Sequence, residues 1–320
     1  MKDAPFSSIR GLLQNAQTVL VLSHIRPDGD AVGSLLGLGL ALQHAGKEVT
    51  MVLADGVPSN FRHLTGSNQI VRRVNGNFDL TATVDCSDIA RTGNVLGERP
   101  VDLNIDHHIT NQNFGKVNLV DSAAVATSAI LAEVLPALGL PLNRPVAEAL
   151  LTGLVSDTIG FRTSNMTPDA LRIAAKLMEH GANLPELYHQ ALVQRSYNAV
   201  RYWGQALTRL QKKDRLIWTA LTLEDRRAAS YPGNDDADLN HILSTIEAVD
   251  IAVLFVEQNN GHVKVSWRAQ PGYDVSQIAL KFGGGGHPAA SGADIPGSLE
   301  TVQNQVLEAT WSVLTANNGS

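Results

Sequence analysis

Residues 18–34 read TVLVLSHIRPDGDAVGS. The first seven, TVLVLSH, form a short apolar run rich in β-branched side chains, as in a strand. Pro27 and Gly29 then break the chain, and from Asp30 small residues and leucines recur as far as Gly46, a plausible helix stop. The opening unit is therefore strand, loop, helix. Working outward, EVTMVLAD (48–55), DLTATVDC (79–86) and VDLNID (101–106) are three further runs of the same kind, with helical stretches between at least two of them. Buried strands alternating with helices at this spacing predict an α/β fold with a mainly parallel sheet flanked by helices.

Downstream, three helices are predicted in close succession, over 122–138, 145–159 and 168–180, the second and third with Pro near the first turn. From Leu184 to Lys213 the pattern becomes polar and amphipathic and ends in Lys212, Lys213, Asp214 and Arg215. LIWTALTL (216–223) then restarts a strand pattern, with a helix expected over 240–248. Two runs within 251–269 flank Asn259, Asn260 and Gly261, a clear hairpin signal. A helix near 274–282, the run GGGGHPAASGADI (283–295) and a last helix over 298–314 complete the pattern. A chain of 320 residues favours two domains over one. The expected division is a catalytic domain at 1–185, a helical linker at 186–213 and a smaller α/β domain at 214–320.

Hydrophobic residues make up 44% of the chain and charged residues 18%, which excludes a disordered or low-complexity protein. The formal net charge of −6 disfavours a surface built to neutralise long nucleic acid, unless a local patch overcomes the average field. Cys86 is the sole cysteine, so no intrachain disulfide forms. MKDAPFSSIRGLL places acid and proline where a secretory signal carries a basic and then an apolar run. The longest apolar candidate, 122–142, is interrupted by Glu133, Pro136 and Pro141, so no membrane segment is expected. The expected location is cytoplasmic.

The chemistry clusters at strand ends. His24, Asp28 and Asp30 follow the first run, Asp85 closes the third, and Asp106, His107 and His108 close the fourth. In a parallel sheet these ends share one rim, where open α/β folds bind ligands. Asp157, in GLVSDTIGF, could add a carboxylate from above. Taken singly, each has an ordinary reading: Asp28 before Gly29 as a turn, Asp157 as an N-cap, His107–His108 as a solvated loop. Together they repel unless a cation lies between them, and imidazole with carboxylate suits manganese, zinc or iron better than calcium.

HIRPDGDAVGS, Asp85, DHHITN and GLVSDT resemble the four ordered motifs of the DHH phosphoesterases, and GGGGHPAASG resembles the signature of their associated C-terminal domain. Within that family the length and second-domain motif are most similar to the short oligoribonuclease (nanoRNase) and 3′-phosphoadenosine 5′-phosphate (pAp) phosphatase branch. The resemblance implies two divalent metal ions, usually Mn2+. His24, Asp28 and Asp85 would hold one, and Asp30, Asp85, His107 and Asp157 the other, with Asp85 the bridge. It casts Asp106 as an acceptor orienting a ligand histidine. Asp85 and His108 are the expected catalytic residues, His108 binding a phosphoryl oxygen or protonating the leaving alkoxide.

The resemblance also makes the second domain a substrate-binding one. Glycines at 283–286, among them Gly284, Gly285 and Gly286, would let backbone amides approach an anion, with His287 and Arg268 adding positive charge. Asn111 either touches substrate or caps a turn; Arg26 faces phosphate or solvent; Trp267 is read as core. The expected activity is hydrolysis of short oligonucleotides to mononucleotides, with pAp or linear diadenylate (pApA) as further substrates, no long duplex partner and no membrane. The rivals are a cyclic diadenylate (c-di-AMP) or linear dinucleotide phosphodiesterase, a manganese pyrophosphatase, and a nucleotide-sensing protein without turnover. A homodimer is implied, but the apolar helices within 122–159 fit burial inside a monomer equally well.

Overall fold

The structure, a computed structural model, describes residues 4–317. The chain divides into two compact units, Met1–Gln194 and Arg195–Ser320.

The first unit is built on strands β1 (Thr18–Leu22), β2 (Glu48–Val52), β3 (Leu80–Val84), β4 (Leu103–Asp106) and β5 (Val117–Val120). They form one sheet in the order β2-β1-β3-β4-β5, with every pairing parallel. The four strands expected from sequence are present. β5 is an addition to them: its KVNLV run is short and only Leu119 is buried. The chain places β2 on one side of β1 and β3 on the other, so the sheet changes direction between β1 and β3. That switch point opens a crevice at the strand ends. Leu22 pairs with Thr83, and Val84 with Ile105. His24 and Asp85, just beyond β1 and β3, and Asp106, the last residue of β4, therefore emerge side by side.

The helices are α1 (Ala4–Asn15), α2 (Gly29–His44), α3 (Thr127–Ala137), α4 (Arg144–Asp157), α5 (Pro168–Glu179) and the short α6 (Leu184–Tyr188). α1 falls where the sequence pattern predicts no element. α2 is buried continuously from Gly29 to Leu42, because its glycines let α4 approach backbone to backbone. A Cβ on Gly33 would lie 2.5 Å from the Ala149 carbonyl, and one on Gly153 would lie 2.7 Å from Asp30 Oδ1. α3 starts at Thr127 rather than Ser122, since its first amides are capped from α2 and not locally. α4 ends at Asp157 because Ile159, Gly160 and Phe161 all turn to positive φ, at 48°, 68° and 66°. Leu131, Val134, Leu150 and Leu151 of α3 and α4 are fully buried in this unit.

The second unit begins with α7 (Tyr197–Leu207), followed by β6 (Gln211–Lys213), β7 (Leu216–Leu221), α8 (Leu223–Ala229), α9 (Leu239–Leu243), β8 (Ile251–Glu257), β9 (His262–Ala269), α10 (Ser276–Lys281), β10 (Gly285–His287), β11 (Ala290–Pro296) and α11 (Leu299–Asn317). Its mixed sheet runs β10-β11-β9-β8-β7-β6, with only β7 and β8 parallel. The expected hairpin turns at Gly261, with φ 77°. Residues 186–213 are shared between the units: α7 packs Tyr202 and Ala206, both fully buried, against Ile217, Leu221 and Leu254. Trp267 is fully buried and its Nε1 donates to Thr310 Oγ1 at 3.0 Å. No helix among the described residues is long and apolar enough to cross a membrane.

Because the α2–α4 contact is backbone against backbone, Gly33→Ala should destabilise the first unit by about 1–3 kcal/mol. Gly11→Ala, in α1 where a methyl group would meet no neighbouring atom within 4 Å, should be neutral or stabilising by up to about 1 kcal/mol. Urea unfolding midpoints compare the two, and equal midpoints would contradict the close crossing.

Candidate active site

β1 delivers His24 to the crevice. His24 Nδ1 lies 2.8 Å from the Ile25 carbonyl, which aims Nε2 at Asp85 Oδ2 (3.4 Å) and Asp28 Oδ1 (3.8 Å). Asp28 is also the N-cap of α2, accepting from the amides of Asp30 and Ala31 at 3.1 and 3.0 Å. The turn role and the candidate ligand role thus coexist in one carboxylate. Asp30, buried in the first turn of α2, caps α3 from outside. Its Oδ2 accepts from the Thr127 amide at 2.6 Å, and its Oδ1 from the Ser128 amide at 3.0 Å and Ser34 Oγ at 3.2 Å. Nothing within α3 signals this, except that its own N-cap position is Ala126, which has no capping side chain.

Asp85 leaves β3 in a left-handed conformation, φ 53°, a strain typical of functional sites. Its amide donates to the Ile105 carbonyl at 2.9 Å, and its Oδ1 accepts from Thr127 Oγ1 at 3.0 Å. β4 ends in Asp106, whose Oδ1 takes the His107 amide at 2.9 Å and His108 Nδ1 at 2.7 Å. Asp106 therefore orients the imidazole of His108 and the backbone of His107. His107 Nε2 faces Asp85 Oδ1 at 3.7 Å and Asp157 Oδ2, from the end of α4, at 3.5 Å.

Asn111 faces inward. Its Nδ2 donates to Asp106 Oδ2 (2.6 Å), Asn104 Oδ1 (2.9 Å) and the Cys86 carbonyl (3.2 Å), while its Oδ1 accepts from the Asn113 amide (2.7 Å). Of the two expected roles, the bond from the Asn113 amide is the turn cap, and the Nδ2 bonds brace Asp106. Asn104, buried in β4, continues the brace to Thr83 Oγ1 at 2.8 Å. An amide in the middle of an otherwise apolar buried strand is the sequence signal for it.

Three overlapping donor groups result: His24–Asp28–Asp85, Asp30–His107–Asp157 and Asp85–His107–His108, with the donor atoms in each within 4.8 Å of one another. The imidazole–carboxylate separations of 3.4–3.8 Å are long for hydrogen bonds. They are close to the roughly 3–3.6 Å that separates donors sharing one ion at about 2.0–2.2 Å. Among the described residues, no lysine or arginine pairs with Asp28, Asp30, Asp85 or Asp157.

The electrostatics follow. Burial and then the charge of Asp85 raise the Asp30 carboxyl well above its ordinary range. Burial and then Asp30 push Asp157 up to about 8. Asp85 goes the other way: against the cost of its burial, the close approach and charge of His24, with the charges of His108 and His107, hold it well below the usual range. His24, despite burial, is driven up to about 9 by Asp85 and Asp28. Carboxylates that close, with imidazoles but no lysine or arginine beside them, fit a site for divalent cations, whose charge offsets theirs. Cys86 is buried nearby and its thiol is pushed up to about 12 by burial, which removes it as a nucleophile.

The remaining expected residues lie in the second unit. Arg268 on β9 pairs with Ala290 on β11, which pairs with His287 on β10, so Arg268 and His287 share one face of the sheet. Gly285 and Gly286 of the glycine run lie in the edge strand β10, and Gly283 and Gly284 precede it. A Cβ on Gly284 would lie 2.2 Å from the Gly292 carbonyl, and one on Gly286 would lie 2.5 Å from the Ala290 carbonyl, whereas Gly285 faces open space. Two of the three glycines are thus explained by strand packing. Arg268 donates to its neighbour's carbonyl, Trp267 O, at 2.9 Å. Desolvation lowers its pKa, while the charges of Asp236 and Asp238, two acids that no sequence motif marks, act in the opposite direction.

Residues 18–154 match the model of the DHH family N-terminal domain, and residues 229–315 that of the DHHA1 domain. A bifunctional oligoribonuclease and PAP phosphatase NrnA from Thermus thermophilus is 35% identical over 302 residues, covering 93% of this chain and 90% of that protein. An exopolyphosphatase-related protein from Bacteroides fragilis superposes with a TM-score of 0.89 at 22% identity, covering 98% of this chain and 96% of that one. RecJ from Thermus thermophilus in complex with Mn2+ superposes with a TM-score of 0.57 at 14% identity, covering 99% of this chain and 55% of RecJ. With its four motifs gathered at the switch point of a parallel sheet and a DHHA1 domain following them along the sequence, the chain belongs to the DHH family, in the branch of the bifunctional oligoribonucleases and PAP phosphatases.

Proposed function

We propose that this protein is a cytoplasmic, metal-dependent phosphoesterase that hydrolyses short oligonucleotides to mononucleotides and removes a phosphate from pAp. The observation that carries the reading is the convergence of the three donor groups at the β1/β3 switch point. Support comes from the relative named for both activities and from the Mn2+ held by RecJ, a protein of the same fold. His24, Asp28 and Asp85 would hold one ion and Asp30, Asp85, His107 and Asp157 a second, most naturally Mn2+. When bound, such a pair supplies Lewis-acid stabilisation of phosphoryl oxygens and a water acidic enough to attack at neutral pH.

The chain's own residues do the rest. His108 donates its Nδ1–H to Asp106, leaving Nε2 to meet a phosphoryl oxygen or hand a proton to the leaving alkoxide. Asn111 and Asn104 hold Asp106 in place, and Thr127 fixes the rotamer of Asp85. The second unit would supply recognition, with Arg268 and His287 on one sheet face as the cationic pair for a substrate phosphate and Gly285 leaving open backbone beside them.

A dinucleotide incubated with the purified protein and Mn2+ should give mononucleotides, and a chelator should abolish this; an inert protein under those conditions would refute the hydrolase reading. Asp85→Ala should lose both metal binding and activity, whereas His108→Ala should lower kcat about 10²–10⁴-fold with metal content near normal. Elemental analysis alongside kinetics separates the two. Metal uptake should release protons and strengthen as pH rises toward 8–9, because His24 and Asp157 must be deprotonated to bind. Titration calorimetry in buffers of different ionisation enthalpy reads that release; identical heats would contradict it.

A further inference from the structure

The rim carries a charged feature beside the metal-type site that the proposed chemistry does not use. Arg26 lies between His24 and Asp28 in the loop after β1, is exposed, and adopts φ 54°. A non-glycine residue held there calls for a reason. Its amide is anchored to Asp55 Oδ2 at 2.6 Å, in the loop after β2. The next residue, Gly56, is buried with φ 77°, and a Cβ built on it would lie 2.7 Å from Arg72 Nε. The guanidinium of Arg72 therefore rests on bare backbone that only glycine leaves open. Arg72 follows Val71, which bridges Val52 in parallel and extends the sheet beyond β2. Arg72 and the exposed Arg73 thus lie at the same strand ends as His24.

Among the described residues, the side chains of Arg26, Arg72 and Arg73 make no hydrogen bond or ion pair. In a chain of net charge −6, that is a local cationic row without acid partners, crossing two strand spacings, roughly 10 Å. Solvated arginines need neither a strained backbone tied to a neighbouring loop nor a glycine seat. The planar guanidinium is suited to phosphate, and a single strand crossing the rim presents one phosphate per nucleotide.

We propose that Arg26, Arg72 and Arg73 form a phosphate track that binds the backbone of single-stranded substrates beyond the dinucleotide at the catalytic rim. This rests on the hydrolase reading above and adds a determinant of substrate length: a dinucleotide ends before Arg72 and Arg73, and a five-nucleotide strand reaches them.

The test uses the full-length R72A/R73A variant, with R72K/R73K as the charge-keeping control, on a labelled five-nucleotide RNA and on a dinucleotide with Mn2+. R72A/R73A should raise KM for the five-nucleotide RNA about 10-fold and leave dinucleotide kcat and KM unchanged, with R72K/R73K near wild type. Losing two phosphate contacts on a single strand should also lower the log–log salt slope by about 1.4, so that wild-type KM rises about 7-fold more than the variant's between 50 and 200 mM salt. Equal losses on both substrates, or an unchanged five-nucleotide KM, would overturn the track. Fluorescence anisotropy of the five-nucleotide RNA in chelator reads its binding without turnover. Unchanged binding in R72A/R73A overturns the track, whereas inert wild type on every substrate overturns only the hydrolase reading.

Discussion

Carboxylates packed together with histidines, but with no lysine or arginine to answer them, are the constraint on which the first unit is organised. Asp30 and Asp85 are each about 1% exposed, and Asp157 closes over them from α4. Burial strengthens their mutual repulsion, so part of the cluster is driven toward the protonated form while Asp85 draws on the histidines around it. A low-dielectric pocket of this kind is costly as a structural device. It becomes reasonable once divalent charge is to be held there, because the same repulsion that destabilises the bare site favours cation entry.

The surrounding fold serves to hold that arrangement. Parallel register sets His24, Asp85 and Asp106 in a row at the switch point, and the glycine-lined contact of α2 with α4 brings Asp30 toward Asp157. Asp30 does two jobs at once: it belongs to a donor group and it supplies the missing cap of α3. The helix dipole and amides of α3 favour its ionised form, opposing the desolvation. Fold stability and site geometry are thereby coupled through one side chain, as they are in Asp28, which caps α2.

Both ends of the DHHA1 unit's sheet are short strands, treated differently. β6 exposes Lys212 and Lys213, charges that discourage another strand from pairing. β10 exposes glycine and His287 instead, leaving its backbone accessible. That asymmetry leaves the β10 edge open to another backbone, two strands from Arg268, and the β6 edge guarded by charge.

Much of the site is legible in the chain. Strand-ending His and Asp residues can be read because a parallel sheet with buried strands is signalled by short β-branched runs, and such a sheet puts its carboxyl ends on one rim. Hence His24, Asp28, Asp30, Asp85, His107, His108 and Asp157 all stand out from the sequence. The weak strand β5, the start of α3 and the inward turn of Asn111 do not, because each depends on partners distant in sequence: Asn111 on Asn104 and Asp106, and α3 on Asp30, 97 residues away from Thr127. Strand β10 is not signalled within the glycine run, because glycine carries no periodicity; pairing of Gly285 and His287 with Gly292 and Ala290 makes it a strand. Sequence alone determined which chemical groups stand at which strand ends, since that follows from local patterning. The tertiary structure decided which of those groups face one another and which are spent on bracing, since hydrogen bonds and charge repulsion act across space and not along the chain.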